Sequence, residues 1–241
     1  MRTPLAALVV LTVAGCSASA PDDGLTVYAA ASLKEPFTRI GQLYEAQHPG
    51  TKVTFNFAGS ADLVAQVDQG APADVLATAD EPTMAEALRS GTATSPRVFA
   101  RNTLQIAVAP GNPQNIRGFA DLADPSLRVV VCAPQVPCGA ATARVEQNTG
   151  VEVAAVSEES SVTDVLGKVT TGQADAGVVY RSDVIGAGSA VQGVRIPARD
   201  NTVNRYPIAT TSDDPVAARF IDLVLGEQGQ QILRDDGFGP P

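Results

Sequence analysis

The sequence predicts a two-lobed α/β protein with a ligand cleft between the lobes. Three observations carry this prediction. Strand-like and helix-like patterns alternate from residue 25 onward, the alternation runs through the same topology twice, and longer extended stretches link the two runs. At 241 residues the chain is long enough for two lobes of about 100 residues each.

Leu25 to Ala29 is an apolar run suited to a buried strand. Ser32 follows as an expected N-cap. Leu33, Phe37, Ile40, Leu43 and Tyr44 then recur at helical spacing until the stop signal His48-Pro49-Gly50. Val53, Phe55 and Phe57 alternate with polar residues and give a second strand. Gly59-Ser60 turns the chain into a helix with Leu63, Val64 and Val67 on one face. Asp74 to Ala77 is a third strand, and Asp80 caps a helix carrying Met84, Ala87 and Leu88. Successive β-α units of this kind predict a parallel sheet.

Val98 to Ala100 and Leu104 to Ala109 read as extended segments before Pro110-Gly111. The second series has strands over Arg128 to Cys132, Val151 to Val156 and Ala174 to Tyr180. Its helices cover Gly139 to Asn148 and Val162 to Val169, with a short one from Ser182 to Ile185. Glu158-Glu159 is expected in a loop. Arg205 to Thr210 is a further strand, and helices near Asp214 to Leu225 and Gln228 to Arg234 close the chain. The expected crossovers lie near Leu104–Val108 and Arg205–Thr210. This assigns residues 25–105 and 207–241 to the first lobe and 106–206 to the second. Ligands of open α/β sheets bind at the carboxyl ends of the strands.

Composition narrows the function. There is no Trp, with seven Phe and four Tyr, so Ala, Val and Leu must fill most of the core. The net charge is -9 and no basic run occurs, which argues against nucleic acid as a partner. An acidic surface still permits an anionic ligand, because local dipoles set the field inside a cleft.

Residues 1–15 read as a signal peptide. Arg2 precedes an apolar stretch from Leu5 to Val13, about nine residues and too short for a permanent membrane span. Val13-Ala14-Gly15-Cys16 is similar to a bacterial lipobox, in which Cys16 would become the lipidated N-terminus. Residues 16–24 then form a flexible tether that holds the protein to the outer face of the cell membrane. Cys132 and Cys138 remain. In an oxidising space the pair can close into a disulfide; two free thiols are the alternative. No second ligand pair accompanies them, so no metal site is expected.

Catalysis has little support. The only His, His48, sits beside a helix-ending turn and reads as a surface cap. Without a usable His, nucleophile–base centres are improbable. Gly59-Ser60-Ala61 is not a nucleophile elbow. No phosphate-binding loop of the Gly-Lys-Ser/Thr type occurs. Four strand-to-helix junctions instead carry small or hydroxylated residues: Ser32, Ser60, Cys138-Gly139 and Ser160-Ser161-Val162. First-turn N–H groups lack intrahelical partners and lie at the positive end of the helix dipole. Several such ends converging would cradle a tetrahedral oxyanion. Tyr180, ending a strand, would add a hydroxyl. A Ser at a helix start, taken alone, usually reads as a plain cap.

Val27-Tyr28-Ala29-Ala30-Ala31-Ser32-Leu33 resembles the first strand and turn of the molybdate-binding proteins of bacterial ABC importers. Phe57-Ala58-Gly59-Ser60-Ala61, Gly70-Ala71-Pro72-Ala73-Asp74-Val75, Val136-Pro137-Cys138-Gly139, Val178-Val179-Tyr180-Arg181-Ser182-Asp183 and Tyr206-Pro207-Ile208-Ala209 are similar to that family too, in the same order. The resemblance implies a type II periplasmic-binding-protein fold, each lobe a mixed, mainly parallel sheet flanked by helices. It implies molybdate as ligand, with tungstate as its analogue, and no cofactor. It makes the protein a monomeric binding subunit, not an enzyme, whose partners are a membrane permease and its ATPase.

Carried over by motif, Ser32 and Ser60 would each offer a hydroxyl and a backbone N–H. Cys138, where the family usually has Ala, and Val162 would act through their N–H groups, and Tyr180 through its phenol. Molybdate and sulfate are unprotonated dianions at neutral pH and suit a lining of donors, whereas hydrogen phosphate brings a proton that needs an acceptor. Sulfate or another tetrahedral oxyanion is the alternative ligand. A small hydrolase and a sensor or adhesion lipoprotein are the alternatives of other classes.

Overall fold

The computed structural model describes residues 24–241. The signal peptide, Cys16 and the tether before Gly24 lie outside the described residues. The apolar run after Gly24 forms β1 (Leu25–Ala30), followed by α1 (Lys34–Gln47), β2 (Val53–Ala58), α2 (Ser60–Asp68), β3 (Val75–Ala77) and α3 (Glu81–Ser90). Helix α3 starts as expected, with the Asp80 carboxylate accepting from the Thr83 N–H at 3.0 Å, and stops at Gly91 in the left-handed conformation (φ 77°). His48 ends α1, its Nδ1 3.0 Å from the Tyr44 carbonyl and its ring stacked on Tyr44.

The two extended segments expected at 98–100 and 104–109 are one strand, β4 (Thr94–Val108), 15 residues long. After it come β5 (Val129–Cys132), α4 (Pro137–Thr149), β6 (Ala155–Glu159), α5 (Val162–Thr170), β7 (Ala176–Tyr180), α6 (Arg181–Ala187) and β8 (Gln192–Arg195). Then follow β9 (Val203–Thr210), α7 (Pro215–Leu225) and α8 (Glu227–Asp235). Two lobes result, each with a mixed sheet. In the first, the order is β2-β1-β3-β9-β4, with β1 parallel to β2 and β3, and β9 antiparallel to β3 and β4. In the second, it is β6-β5-β7-β4-β8, with β5 parallel to β6 and β7, and β4 antiparallel to β7 and β8. The orders match position for position, and β4 serves both sheets.

The change of sheet is sharp. Thr103 pairs with Val203 of β9, and the next residue, Leu104, pairs with Tyr180 of β7. At that point the Asn201 amide behaves like a strand residue. Its Oδ1 accepts from the Leu104 N–H at 3.1 Å and its Nδ2 donates to the Leu104 carbonyl at 2.8 Å. The returning chain is thereby tied to β4 where both pass between the lobes.

Three expectations need correcting. The strand expected at Val151–Val156 lies at Ala155–Glu159 instead. Gly150 ends α4 in the left-handed conformation (φ 70°), the Glu146 carboxylate takes the Val153 N–H, and Ala154 donates to the Leu122 carbonyl. The segment is thus spoken for before pairing starts. Glu158 and Glu159, expected in a loop, pair with Val131 and Cys132 in this edge strand. Its charged side chains face solvent or, for Glu159, meet Lys168. Ser32 is not an N-cap either: a 3-10 turn (Ala31–Leu33) precedes α1, and no side chain caps either start.

The aromatic residues gather in the first lobe. Phe37, fully buried, lies 5.6 Å from Phe99, 6.1 Å from Phe220 and 6.5 Å from Phe55 between ring centroids. Around β5 and β7 the second lobe is filled instead by Val129, Val130, Val165, Val169, Val178 and Val179. Among the described residues, no helix is long and apolar enough to cross a membrane, and no group of three or more His, Cys, Asp or Glu could hold a metal ion.

Candidate functional site

The carboxyl ends of β1, β2 and β7, and the loops after β5 and β6, meet at the seam between the lobes. Ser32, Ser60, Cys138, Val162 and Tyr180 all line one cavity there, of about 20 Å³. That is far below the roughly 300–1,000 Å³ usual for organic ligands and leaves room only for a compact group such as a small ion. No lining side chain carries a formal charge.

The helix starts are left open toward this cavity. At α2, Gly59 is the N-cap and makes no side-chain cap; at α4, Val136 makes none. Ser60 and Cys138 therefore lie in uncapped first turns, whose N–H groups need partners from outside the helix. α5 differs: Ser161 caps it by accepting from the Asp164 N–H at 3.3 Å. The sulfurs of Cys132 and Cys138 are bonded to each other, which leaves Cys138 its backbone N–H. The turn is tight. A Cβ on Gly139 would stand 2.0 Å from the Ala133 carbonyl oxygen, so only glycine fits behind Cys138.

The hydroxyls of Ser32, Ser60 and Tyr180 share one arrangement, in which a neighbouring group engages the oxygen. Ser60 Oγ accepts from the Ala79 N–H at 3.0 Å, and Tyr180 Oη accepts from Asn204 Nδ2 at 2.9 Å. Ser32 Oγ lies 3.1 Å from Tyr206 Oη, and either can donate. A hydroxyl that accepts from behind directs its single proton forward. The lining thus offers the O–H groups of Ser60 and Tyr180, that of Ser32 when Tyr206 donates to it, and N–H groups at the helix starts.

Burial keeps the phenols protonated. It pushes the Tyr180 hydroxyl well above its ordinary value, helped by the neighbouring Tyr206, Asp80 and Asp183, and it pushes Tyr206 far up as well. Asp183, buried behind Tyr180, is raised to about 7 by desolvation, against the opposing hydrogen bond from the Tyr180 N–H. The sign follows from linkage. A carboxyl whose pKa is higher folded than unfolded adds stability below its unfolded value, and that stability is lost as pH rises through the folded value. Asp183→Asn keeps an oxygen for the Tyr180 N–H and removes the titration. The melting temperature of the wild type minus that of the variant is therefore expected to fall between about pH 4 and pH 7. A difference flat over that range would show that Asp183 stays ionised in the fold.

Three residues of the site are not singled out by the junction pattern. Ala79 lines the cavity, and Asn204 and Tyr206 hold its hydroxyls from behind. Asn204 and Tyr206 lie on β9, and nothing in a strand pattern shows which residues of a crossing strand pass beneath a cleft.

A family model described as bacterial extracellular solute-binding protein matches residues 25–239. The molybdate-binding protein ModA of Mycobacterium tuberculosis H37Rv is 45% identical over 98% of this chain and 96% of its own length. The molybdate-binding protein ModA of Escherichia coli K12 is 26% identical over 96% of this chain and 95% of its own. Among solved structures, the periplasmic molybdate-binding protein of Azotobacter vinelandii superposes with a TM-score of 0.79 at 22% identity. It covers 90% of this chain and 99% of that one.

Proposed function

The chain belongs to the bacterial extracellular solute-binding proteins, and on that premise we propose that it captures molybdate, or its analogue tungstate, for an ABC importer. One observation carries the reading. Hydroxyl and helix-start donors from both lobes line a single ion-sized cavity that contains no formal charge. Each donor to an anionic oxygen contributes roughly 1.5–3 kcal/mol, so several together offset the cost of dehydrating a dianion. In this reading Ser32 and Ser60 each give a hydroxyl and an N–H, Cys138 and Val162 each give an N–H, and Tyr180 gives its phenol. The protein binds and releases without catalysis. It works as a monomer held to the outer face of the membrane by a lipid on Cys16, and it delivers the ion to a permease coupled to an ATPase.

Calorimetric titration of the mature protein with molybdate, tungstate, sulfate and hydrogen phosphate tests the assignment. Molybdate and tungstate are expected to bind tightest, with hydrogen phosphate far weaker. Tight hydrogen phosphate binding without molybdate heat would overturn it.

A further inference from the structure

Tyr180 stands out among the cavity hydroxyls because a side chain that is itself held by a cation fixes its direction. Asn204 lies on β9 and is 3% exposed. Its Nδ2 donates to Tyr180 Oη at 2.9 Å, to the Ala79 carbonyl at 3.0 Å and, at 3.4 Å, to the Pro137 carbonyl. Its Oδ1 accepts from an Arg144 guanidinium N–H at 2.9 Å, and Arg144 Nε donates to Thr202 Oγ1 at 3.2 Å. Turning the amide over would set its nitrogen against the guanidinium and its oxygen against two carbonyls. The orientation is therefore forced. Among the described residues, the salt bridges involve other cations and none engages Arg144. Its charge is free to polarise the amide toward Tyr180. Neither Arg144 nor Asn204 lines the cavity.

We propose that Asn204, oriented by Arg144, is a specificity-determining residue that makes Tyr180 a donor toward the cavity and so selects fully deprotonated oxyanions over hydrogen phosphate. This inference rests on the oxyanion reading above. With Asn204 donating to its oxygen, the Tyr180 hydroxyl keeps its proton free to point into the cavity and meet an unprotonated oxygen. The proton of hydrogen phosphate needs an acceptor, and the oxygens of Ser60 and Tyr180 each already accept one bond, from Ala79 and Asn204, so that accepting a second from the ligand would turn their own protons away from it. Asn204→Asp reverses the bond. A carboxylate accepts from both Arg144 and Tyr180, and the phenol then presents its lone pair to the cavity. Arg144→Leu leaves the amide free to turn over, and Arg144→Lys keeps a cationic donor near Oδ1.

The test is calorimetry with molybdate, and competition by millimolar hydrogen phosphate, on the wild type and the three variants. Unliganded melting temperatures serve as the check on folding. In Asn204→Asp the preference for molybdate over hydrogen phosphate is expected to drop at least tenfold. In Arg144→Leu it should drop about threefold to tenfold, and Arg144→Lys should recover most of it. Equal weakening of both ions in folded variants assigns Asn204 a merely structural role and overturns the proposal. If Asn204→Asp does not fold, an unchanged preference in Arg144→Leu does the same. A wild type that binds no molybdate removes the oxyanion reading itself, an outcome separate from either of these.

Discussion

Gly59→Ala is expected to weaken oxyanion binding by about 10²- to 10⁴-fold while leaving each lobe folded. The Cβ of an alanine here would stand 2.2 Å from the carbonyl oxygen of Ser160, which belongs to the other lobe. Both atoms are fixed to backbone, so neither can swing aside. The alanine itself is comfortable within its own lobe, because Gly59 has φ -58° and ψ 139°. The clash is relieved only by moving the lobes apart, which withdraws the Cys138, Val162 and Tyr180 donors from Ser32 and Ser60. Losing two donors to an anion costs about 3–6 kcal/mol, the source of the expected range. Calorimetry gives the affinity, and small-angle scattering with saturating ligand gives the lobe separation. Wild-type affinity in a folded variant would mean that binding does not need this approach.

Phe37→Ala is expected to cost about 3–5 kcal/mol of folding stability, the usual range for emptying an aromatic site in a packed core. Phe37 is fully buried among Phe55, Phe99 and Phe220. This cluster has no Trp to spare and is the main aromatic core of the first lobe. Denaturant unfolding followed by circular dichroism measures the loss. A loss below about 1 kcal/mol would show that the neighbouring rings collapse into the space. The two variants separate two contributions: Gly59 governs how the lobes meet, and Phe37 governs whether the first lobe holds together.

Much of this was legible in the sequence, and the reasons are local. Asp80 caps α3 because a carboxylate three residues ahead of a helical N–H is a short-range device. Ser32, Ser60, Cys138, Val162 and Tyr180 could be singled out because each sits where a strand gives way to a helix, and the cavity is built from those junctions. What could not be read was long-range. Asn204 is 24 residues from Tyr180 and 125 from Ala79, and only the path of β9 brings them together. The shift of β6 has the same origin. Glu158 and Glu159 look like loop residues until β5 offers them an edge to pair with, and edge strands accept charge because one side faces water. The role of Ser32 was misread for the opposite reason. Its type suits a cap so well that the sequence gives no hint of the 3-10 turn that moves the helix start to Lys34.

The interlacing of the two sheets sets an order of assembly. β5 to β8, together with the second half of β4, complete the second sheet once the chain has emerged as far as Arg195. The first sheet must wait, because β9 is the strand that joins β3 to β4. The half of the molecule that leaves its birthplace first is therefore the last to close, and until Thr210 arrives β3 carries an open flank. A truncation just short of β9 would leave a finished second lobe attached to an unfinished first one.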